Sequence, residues 1–352
     1  MTIEVETGEF EALVEQRAAL GVRNRWWCIG PSSMVADKPV SLMRLGTALV
    51  AWRDGAARVN LVDDYCPHRG APLSMGRLSE GRLSCRYHGV EISGDGTVSA
   101  VPGFPQCSYI GKKMVRAYPV VEHFQGLWAW FGDDENATPL PLVFPLEFTS
   151  PDWTGFPISQ TWQTNYQYVW DNVIDIMHPE YLHKDTQYFD TGVANTVVTT
   201  ATETGFMVKR EIYEGDNVEI MEFIDNGSFW FRVGFYAPPG CGPGGNWRVF
   251  PQATPIDEHR CQMTVWRMRL VSGWEGDLFR FMFNTKLEQF NWAIVQEDKE
   301  MLEAMPPWPA RENLYQHDIG PARLRRHVRA EASRQLKSRS AAPSPKPQRM
   351  QD

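Results

Sequence analysis

Along the first third of the chain, apolar positions come in short runs that alternate with polar ones at a period near two. Ser41–Arg44, Ala48–Trp52, Arg58–Val62, Val115–Val121 and Leu127–Trp130 are such runs, separated by Gly, Asp-Gly and Pro. This spacing predicts a small all-β unit from about Trp26 to Phe131. Pro139, Pro141, Pro145, Pro151 and Pro157 then mark a junction. From Gln163 to Leu182 the apolar period moves toward that of a helix. A second strand-rich stretch follows from Val197 to Leu270, with segments such as Phe229–Tyr236 and Cys261–Leu270, and Trp274 to Met305 predicts a long helical region. No internal repeat is visible. The expected architecture is α+β: a small β domain, then a domain with an antiparallel sheet and a late helix. The expected boundaries are residues 20–138 and 139–335.

The length of 352 residues agrees with two domains. Hydrophobic residues at 43% and charged residues at 22% exclude a disordered, collagenous or coiled-coil chain. The net charge of −8 argues against general nucleic-acid binding, which needs a basic field. Glu4, Glu6, Glu9 and Glu11 occupy the place where a secretory signal would be basic and then apolar. No segment approaches the ~20 apolar residues of a membrane span. A soluble cytoplasmic protein is therefore expected, with its six cysteines held as thiols or metal ligands. Ser338 to Asp352, rich in Ser, Pro, Lys and Gln, is expected to be a disordered tail.

Two Cys/His loops change this picture. Cys66-Pro-His68-Arg-Gly-Ala and Cys85-Arg-Tyr-His88-Gly each supply one thiol and one imidazole, with 16 residues between His68 and Cys85. Four such ligands could hold a tetrahedral zinc, although zinc sites usually pair Cys with Cys and His with His. The mixed pairing suits a two-iron cluster with thiolates on one iron and imidazoles on the other. Ligands and flanking residues together strongly resemble the Rieske [2Fe-2S] domain, and the resemblance implies that Cys66, His68, Cys85 and His88 bind the cluster.

A second constellation reads Asp171-Asn172-x2-Asp175-x2-His178-Pro179-x3-His183. At about 100° per residue, Asp171, Asp175 and His178 would share one helix face. Pro179 should end or kink the helix at His178 and so bring His183 back toward it. By itself this spacing is weak, because histidines near helix ends more often cap or fill the core. Behind a Rieske-like domain it resembles the mononuclear iron motif of the Rieske non-haem iron oxygenases, in which two histidines and one carboxylate hold Fe(II). The resemblance implies that His178 and His183 are the histidine ligands. For the carboxylate, a helix from Leu287 to Met305 places Asp298 near the middle of an apolar stripe formed by Leu287, Phe290, Ile294, Met301, Leu302 and Met305. Glu297 falls at the edge of that stripe. A buried aspartate costs several kcal/mol unless paired or metal-bound, and the family's last ligand also lies in a Glu-Asp motif, so Asp298 is expected as the third ligand. The resemblance further implies that Asp175 bridges His88 of one subunit to His178 of the next, and that Asn172 lies near the iron.

No dinucleotide loop is recognised: Pro239 to Gly245 lacks the required spacing. Phe281, Met282 and Phe283 are candidate lining for a substrate cavity, with ordinary core packing the commoner role. The resemblance covers about Trp26 to Arg329 and is nearest to the phthalate-type branch. It implies the terminal oxygenase of a multicomponent system, with a helix-grip (START-like) catalytic domain, a [2Fe-2S] cluster and a mononuclear Fe(2+). It also implies a separate NAD(P)H-dependent reductase, acting directly or through a ferredoxin, O2, a small carboxylated aromatic substrate and a head-to-tail homotrimer. A Rieske electron-transfer protein without oxygenase activity and a zinc-binding structural module remain open alternatives.

Overall fold

The computed structural model carries side chains and describes residues 2–135, 137–186, 196–210, 218–237, 244–283, 285, 288–309 and 311–341. Three antiparallel sheets build the first half. Arg25–Pro31 pairs with Gly126–Phe131, which pairs with Val120–His123. Val40–Arg44, Thr47–Arg53 and Val59–Asp63 form the second, and Arg77–Ser79, Arg82–Ser84, Glu91–Ile92 and Val98–Ala100 the third. The helix Thr2–Ala19 precedes them and has no counterpart in the predicted pattern. Only Val14 and Ala18 of its described side chains are fully buried, so its apolar periodicity is too sparse to read from sequence.

Seven antiparallel strands form the second sheet region, in the order Trp153–Trp162, Cys261–Leu270, Gly245–Pro255, Phe229–Ala237, Val218–Asp225, Gly205–Arg210 and Val197–Ala201. Six of them are a meander. The strand that enters first, Trp153–Trp162, pairs with the last along its whole length, from Trp153 opposite Leu270 to Trp162 opposite Cys261. The chain therefore leaves the sheet edge at Trp162 and runs directly into the helix Tyr166–Ile174. Asn165 caps that helix, its side chain accepting from the Gln167 N–H at 2.9 Å and donating to the Ala19 and Glu258 carbonyls. The long helical region expected from Trp274 to Met305 holds the helices Gly273–Met282 and Glu288–Ala304, with Phe283 and Thr285 also helical between them.

Successive side chains of a strand point to opposite faces, and at the centre of this sheet aromatic rings pack both of them. Phe229 and Phe231 meet Trp170 of the Tyr166–Ile174 helix, each at 5.2 Å between ring centroids. Trp230, between them, faces Trp128 and Phe148 on the other side. Trp128 in turn stacks on Trp266 at 5.2 Å. A Cβ on Gly126 would lie 2.6 Å from both of those indoles, so only glycine lets the first domain's hairpin approach this closely. Trp27, from the first domain's leading strand, stacks on Trp170 at 5.6 Å and 6°.

The final helix, Ile319–Ala341, is tied down by charge as well as by Leu324, Val328 and Ala332. Arg325 donates twice to Asp171, at 2.8 and 2.6 Å, and once to Glu312 at 2.6 Å, above the ring of Trp308. Burial pushes the Asp171 carboxyl up to about 7 against the pull of that guanidinium. Ser338 to Ala341, expected within the disordered tail, continue this helix; the remainder of that tail lies outside the described residues. Among the described residues no helix is long and apolar enough to cross a membrane.

Asp225 joins the final helix to the first strand of the chain. It accepts from His327 at 2.7 Å and from Arg25 at 2.9 Å. Burial alone would raise its carboxyl, but His327 and Arg25 outweigh that effect and hold it below the usual carboxylate range. A carboxyl depressed on folding contributes stability above its unfolded pKa of about 3.9 and loses that contribution as pH falls through its folded value. Asp225→Asn is expected to cost about 2 kcal/mol near neutral pH. The gap to the native chain should narrow between about pH 5 and about pH 3. Denaturant titrations at both ends check this, and an unchanged gap would contradict it.

Candidate metal centres

The two Cys/His loops share one backbone design. Cys66 N–H donates to the Ala71 carbonyl at 2.8 Å and receives Gly70 N–H at its own carbonyl, also at 2.8 Å. Cys85 repeats this with Val90 at 2.8 Å and Gly89 at 2.9 Å. Gly70 and Gly89 stand at the same place in each loop with φ of +71° and +74°, a conformation that favours glycine. Asp64 braces the first loop by accepting from the Ser74 N–H at 2.7 Å and its hydroxyl at 2.6 Å. Both thiols are 2% exposed, whereas His68 and His88 are exposed with their rings 4.7 Å apart. Burial raises the Cys66 thiol, and Cys85 beside it adds to the rise.

A tetrahedral zinc needs its four ligand atoms around one point. Among the described residues, only His178, His183 and Asp298 bring three ligand atoms within 4.8 Å of one another. The loop residues pair off instead, two thiols inside and two imidazoles outside, which fits a two-iron cluster with unlike ends.

The second constellation is built on a broken helix. The helix ends at Ile174, and Asp175 is extended, with φ −83° and ψ 113°. Asp171, Asp175 and His178 therefore do not share one helix face, contrary to the sequence expectation. The reason is local: the Asp175 carboxylate accepts from the Met177 N–H at 2.7 Å, an Asx turn that competes with the next helical hydrogen bond. Pro179 then opens a new one-turn helix, Pro179–Leu182, with His178 and His183 at its two caps.

Both imidazoles present Nε2 to the same oxygen. Asp298 Oδ1 lies 3.5 Å from His178 Nε2 and 3.2 Å from His183 Nε2, and it accepts from the Asn172 amide at 3.1 Å. His178 Nδ1 meets the Asp175 carbonyl at 2.9 Å, and His183 Nδ1 meets Glu297 Oε2 at 2.8 Å. A carbonyl only accepts, so the proton of His178 sits on Nδ1 and Nε2 keeps its lone pair. Two such nitrogens and one carboxylate, with His183 buried and His178 one-fifth exposed, fit a divalent iron approached from one side. Burial would raise the Asp298 carboxyl, but the two histidines outweigh it and hold it at about 2. Burial lowers the His183 imidazole, while Asp298 and Glu297 more than reverse that and raise it.

Three neighbours escaped the sequence reading. Glu297 reaches His183 although its place on the helical wheel is at the stripe's edge. Thr186 donates to the same Glu297 oxygen at 2.7 Å. Arg210, from the strand Gly205–Arg210, donates to the Ile176 carbonyl at 3.0 Å and pairs with Glu180, so one buried cation grips both the helix break and the one-turn helix. No local pattern connects Arg210 to residues some thirty positions earlier. Of the cavity candidates, Phe283 is buried against Phe156 at 4.6 Å, whereas Phe281 is 68% exposed.

The chain matches the Rieske [2Fe-2S] domain over residues 25–119 and the vanillate O-demethylase oxygenase C-terminal domain over residues 162–334. It is 31% identical over 208 residues to a vanillate O-demethylase oxygenase subunit of Pseudomonas sp. (strain HR199 / DSM 7063), covering 58% of this chain and 53% of that protein. It is 33% identical over 181 residues to the dicamba O-demethylase oxygenase component of Stenotrophomonas maltophilia, covering 48% and 50%. The chain thus spans about half the length of the curated relatives it matches. In three dimensions it is similar to dicamba monooxygenase bound to dicamba, with a TM-score of 0.73 at 23% identity over 91% of this chain and 99% of that one. It is also similar to the oxygenase in a carbazole 1,9a-dioxygenase–ferredoxin complex, with a TM-score of 0.74 at 19% identity over 96% and 98%. These likenesses establish a shared fold.

The separation of the two ligand sets makes their losses separable. Cys66→Ser is expected to remove about two irons per chain together with the acid-labile sulfide. His178→Ala should remove about one iron and leave the sulfide unchanged. Metal and sulfide analysis of both variants checks this, and a single variant emptying both sites would contradict it.

Proposed function

The chain belongs to the Rieske-type oxygenases, and from that premise we propose that it is the terminal oxygenase component of a multicomponent system. It takes electrons from a separate NAD(P)H-dependent reductase, directly or through a ferredoxin, and acts in the cytoplasm on a small aromatic substrate. In this reading residues 20–138 form the cluster-binding unit and residues 139–335 the oxygen-activating unit. Cys66, His68, Cys85 and His88 hold the [2Fe-2S] cluster, and His178, His183 and Asp298 hold the mononuclear Fe(II). The observation that carries the reading is the convergence of His178, His183 and Asp298 in a chain that also carries the two Cys/His loops. When bound, the cluster supplies single electrons and the mononuclear iron supplies a site for activating O2.

The chain's own residues set the conditions for that chemistry. Burial of Cys66 and Cys85 keeps water from the inner end of the cluster site, and exposure of His68 and His88 leaves the outer end open for electron exchange. Asp175 stands just before His178 with 27% of its side chain exposed, between the iron ligand and the surface. Around it Tyr181 and Tyr315 are 74% and 61% exposed. That surface is suited to receive His88 of a neighbouring subunit in a head-to-tail homotrimer, with Asp175 as the bridge. The buried His183 and the Arg210–Glu180 pair hold the ligand segment still, while the partly exposed side of His178 leaves the approach for substrate.

Similarity to proteins named vanillate and dicamba O-demethylases supports oxidative O-demethylation of a carboxylated aryl methyl ether as the reaction to test first. Its balance is aryl methyl ether, O2, NAD(P)H and a proton going to phenol, formaldehyde, water and NAD(P)+. A screen of methoxybenzoates with a compatible reductase, NADH and O2 tests this. Formaldehyde equal to NADH consumed supports demethylation, whereas dihydrodiol or ring-hydroxylated product without formaldehyde would replace it by hydroxylation. The bridge has its own test. Asp175→Asn keeps an acceptor for the Met177 N–H and removes the charge, so both metal sites should stay filled while coupled turnover falls by at least ~100-fold, the order of a lost electrostatic contact in a reaction path. Native turnover in that variant would remove the bridge.

A further inference from the structure

Glu297 and Asp298 are consecutive residues on the helix Glu288–Ala304, yet both reach His183. Neighbouring side chains on a helix diverge by about 100°. Here that divergence spans one imidazole: Asp298 Oδ1 lies 3.2 Å from Nε2, and Glu297 Oε2 lies 2.8 Å from Nδ1. A second contact holds the Glu297 carboxylate, since the Thr186 hydroxyl donates to the same oxygen at 2.7 Å. At His178 the Nδ1 hydrogen bond goes to the backbone carbonyl of Asp175 at 2.9 Å, and the Asp175 carboxylate stands farther off at 3.9 Å. The two histidines of the site are thus supported differently, one by main chain and one by a carboxylate.

We propose that Glu297 is the positioning residue of His183, fixing its proton on Nδ1 and its ring orientation so that Nε2 is the metal-binding atom. The role rests on the assignment of His183 as an iron ligand. A carboxylate hydrogen-bonded to the far nitrogen of a ligating histidine fixes the tautomer and raises the basicity of the ligand. The helix then sets two things with one dipeptide: Asp298 closes the site, and Glu297 aims the ligand opposite it. Replacement by alanine frees His183 to rotate and to exchange its proton between nitrogens, without touching His178, Asp298 or the Cys/His loops.

The test is metal affinity, measured anaerobically on cluster-loaded protein stripped of mononuclear metal. Fe(II) and, separately, Co(II) are titrated against a competing chelator, with the Co(II) visible spectrum recorded for ligand geometry. Glu297→Ala is expected to weaken both metals about 10- to 100-fold. Glu297→Gln, whose amide oxygen still accepts from Nδ1–H, should recover most of that affinity and the native Co(II) spectrum. Sulfide content and the thermal transition should match the native protein in both variants. Alanine binding within twofold of native would overturn the role, as would equal loss in both variants accompanied by a lowered thermal transition. If the native protein itself takes up no Fe(II), the oxygenase reading fails and this role falls with it, an outcome distinct from native binding that the substitution leaves unchanged.

Discussion

Asp298 carries a constraint that organises the catalytic half of the molecule. A carboxylate removed from water is costly unless positive charge, hydrogen-bond donors or a metal replace the lost hydration. The Asn172 amide and the Nε2 atoms of His178 and His183 all converge on one of its oxygens. Bringing these three groups to one point from a single stretch of chain requires that stretch to change direction. A continuous helix would leave His183 pointing about 140° away from His178. The Asx turn at Asp175 and the proline at 179 break the helix in the four residues between Ile174 and Pro179. A broken segment is easily displaced, and the buried Arg210–Glu180 pair together with the Arg210 contact to Ile176 holds it against the sheet.

That anchoring rests on a sheet packed from both sides. Aromatic side chains fill both of its faces, so the strand bearing Arg210, the helix Tyr166–Ile174 and the hairpin of the first domain pack against one layer. Trp170 shows the connection most directly: it lies one residue before Asp171 and two before Asn172, meets Phe229 and Phe231 of the sheet, and stacks on Trp27 of the first domain. The final helix adds a charged clamp from the other side through Arg325 and Asp171. Packing density of this kind transmits small displacements, which ties the placement of the candidate metal ligands to the integrity of both domains.

Much of this was legible in the sequence, for identifiable reasons. The Cys/His loops could be read because their candidate ligands lie within three or four residues of one another, where glycine and Cys/His spacing determine loop geometry. Asp298 could be read because a charged residue inside an apolar stripe conflicts with helical periodicity. Strands such as Phe229–Ala237 and Cys261–Leu270 follow directly from pattern. The end of the ligand helix was misplaced by four residues, because the proline signal at 179 masked the earlier competition from the Asp175 side chain. The sparse N-terminal helix was missed.

The sequence by itself determined which residues are able to bind metal, the order of the two domains and the elements that carry the ligands, since those follow from side-chain chemistry and short-range periodicity. Only the tertiary structure decided which groups hold the ligands in place. Glu297 meets His183 across 114 positions, Arg325 meets Asp171 across 154, and Arg210 grips a loop 30 to 34 residues before it. Such contacts depend on how a seven-stranded meander and its helices pack, and no local pattern of apolar and polar residues encodes a hydrogen bond between positions that distant.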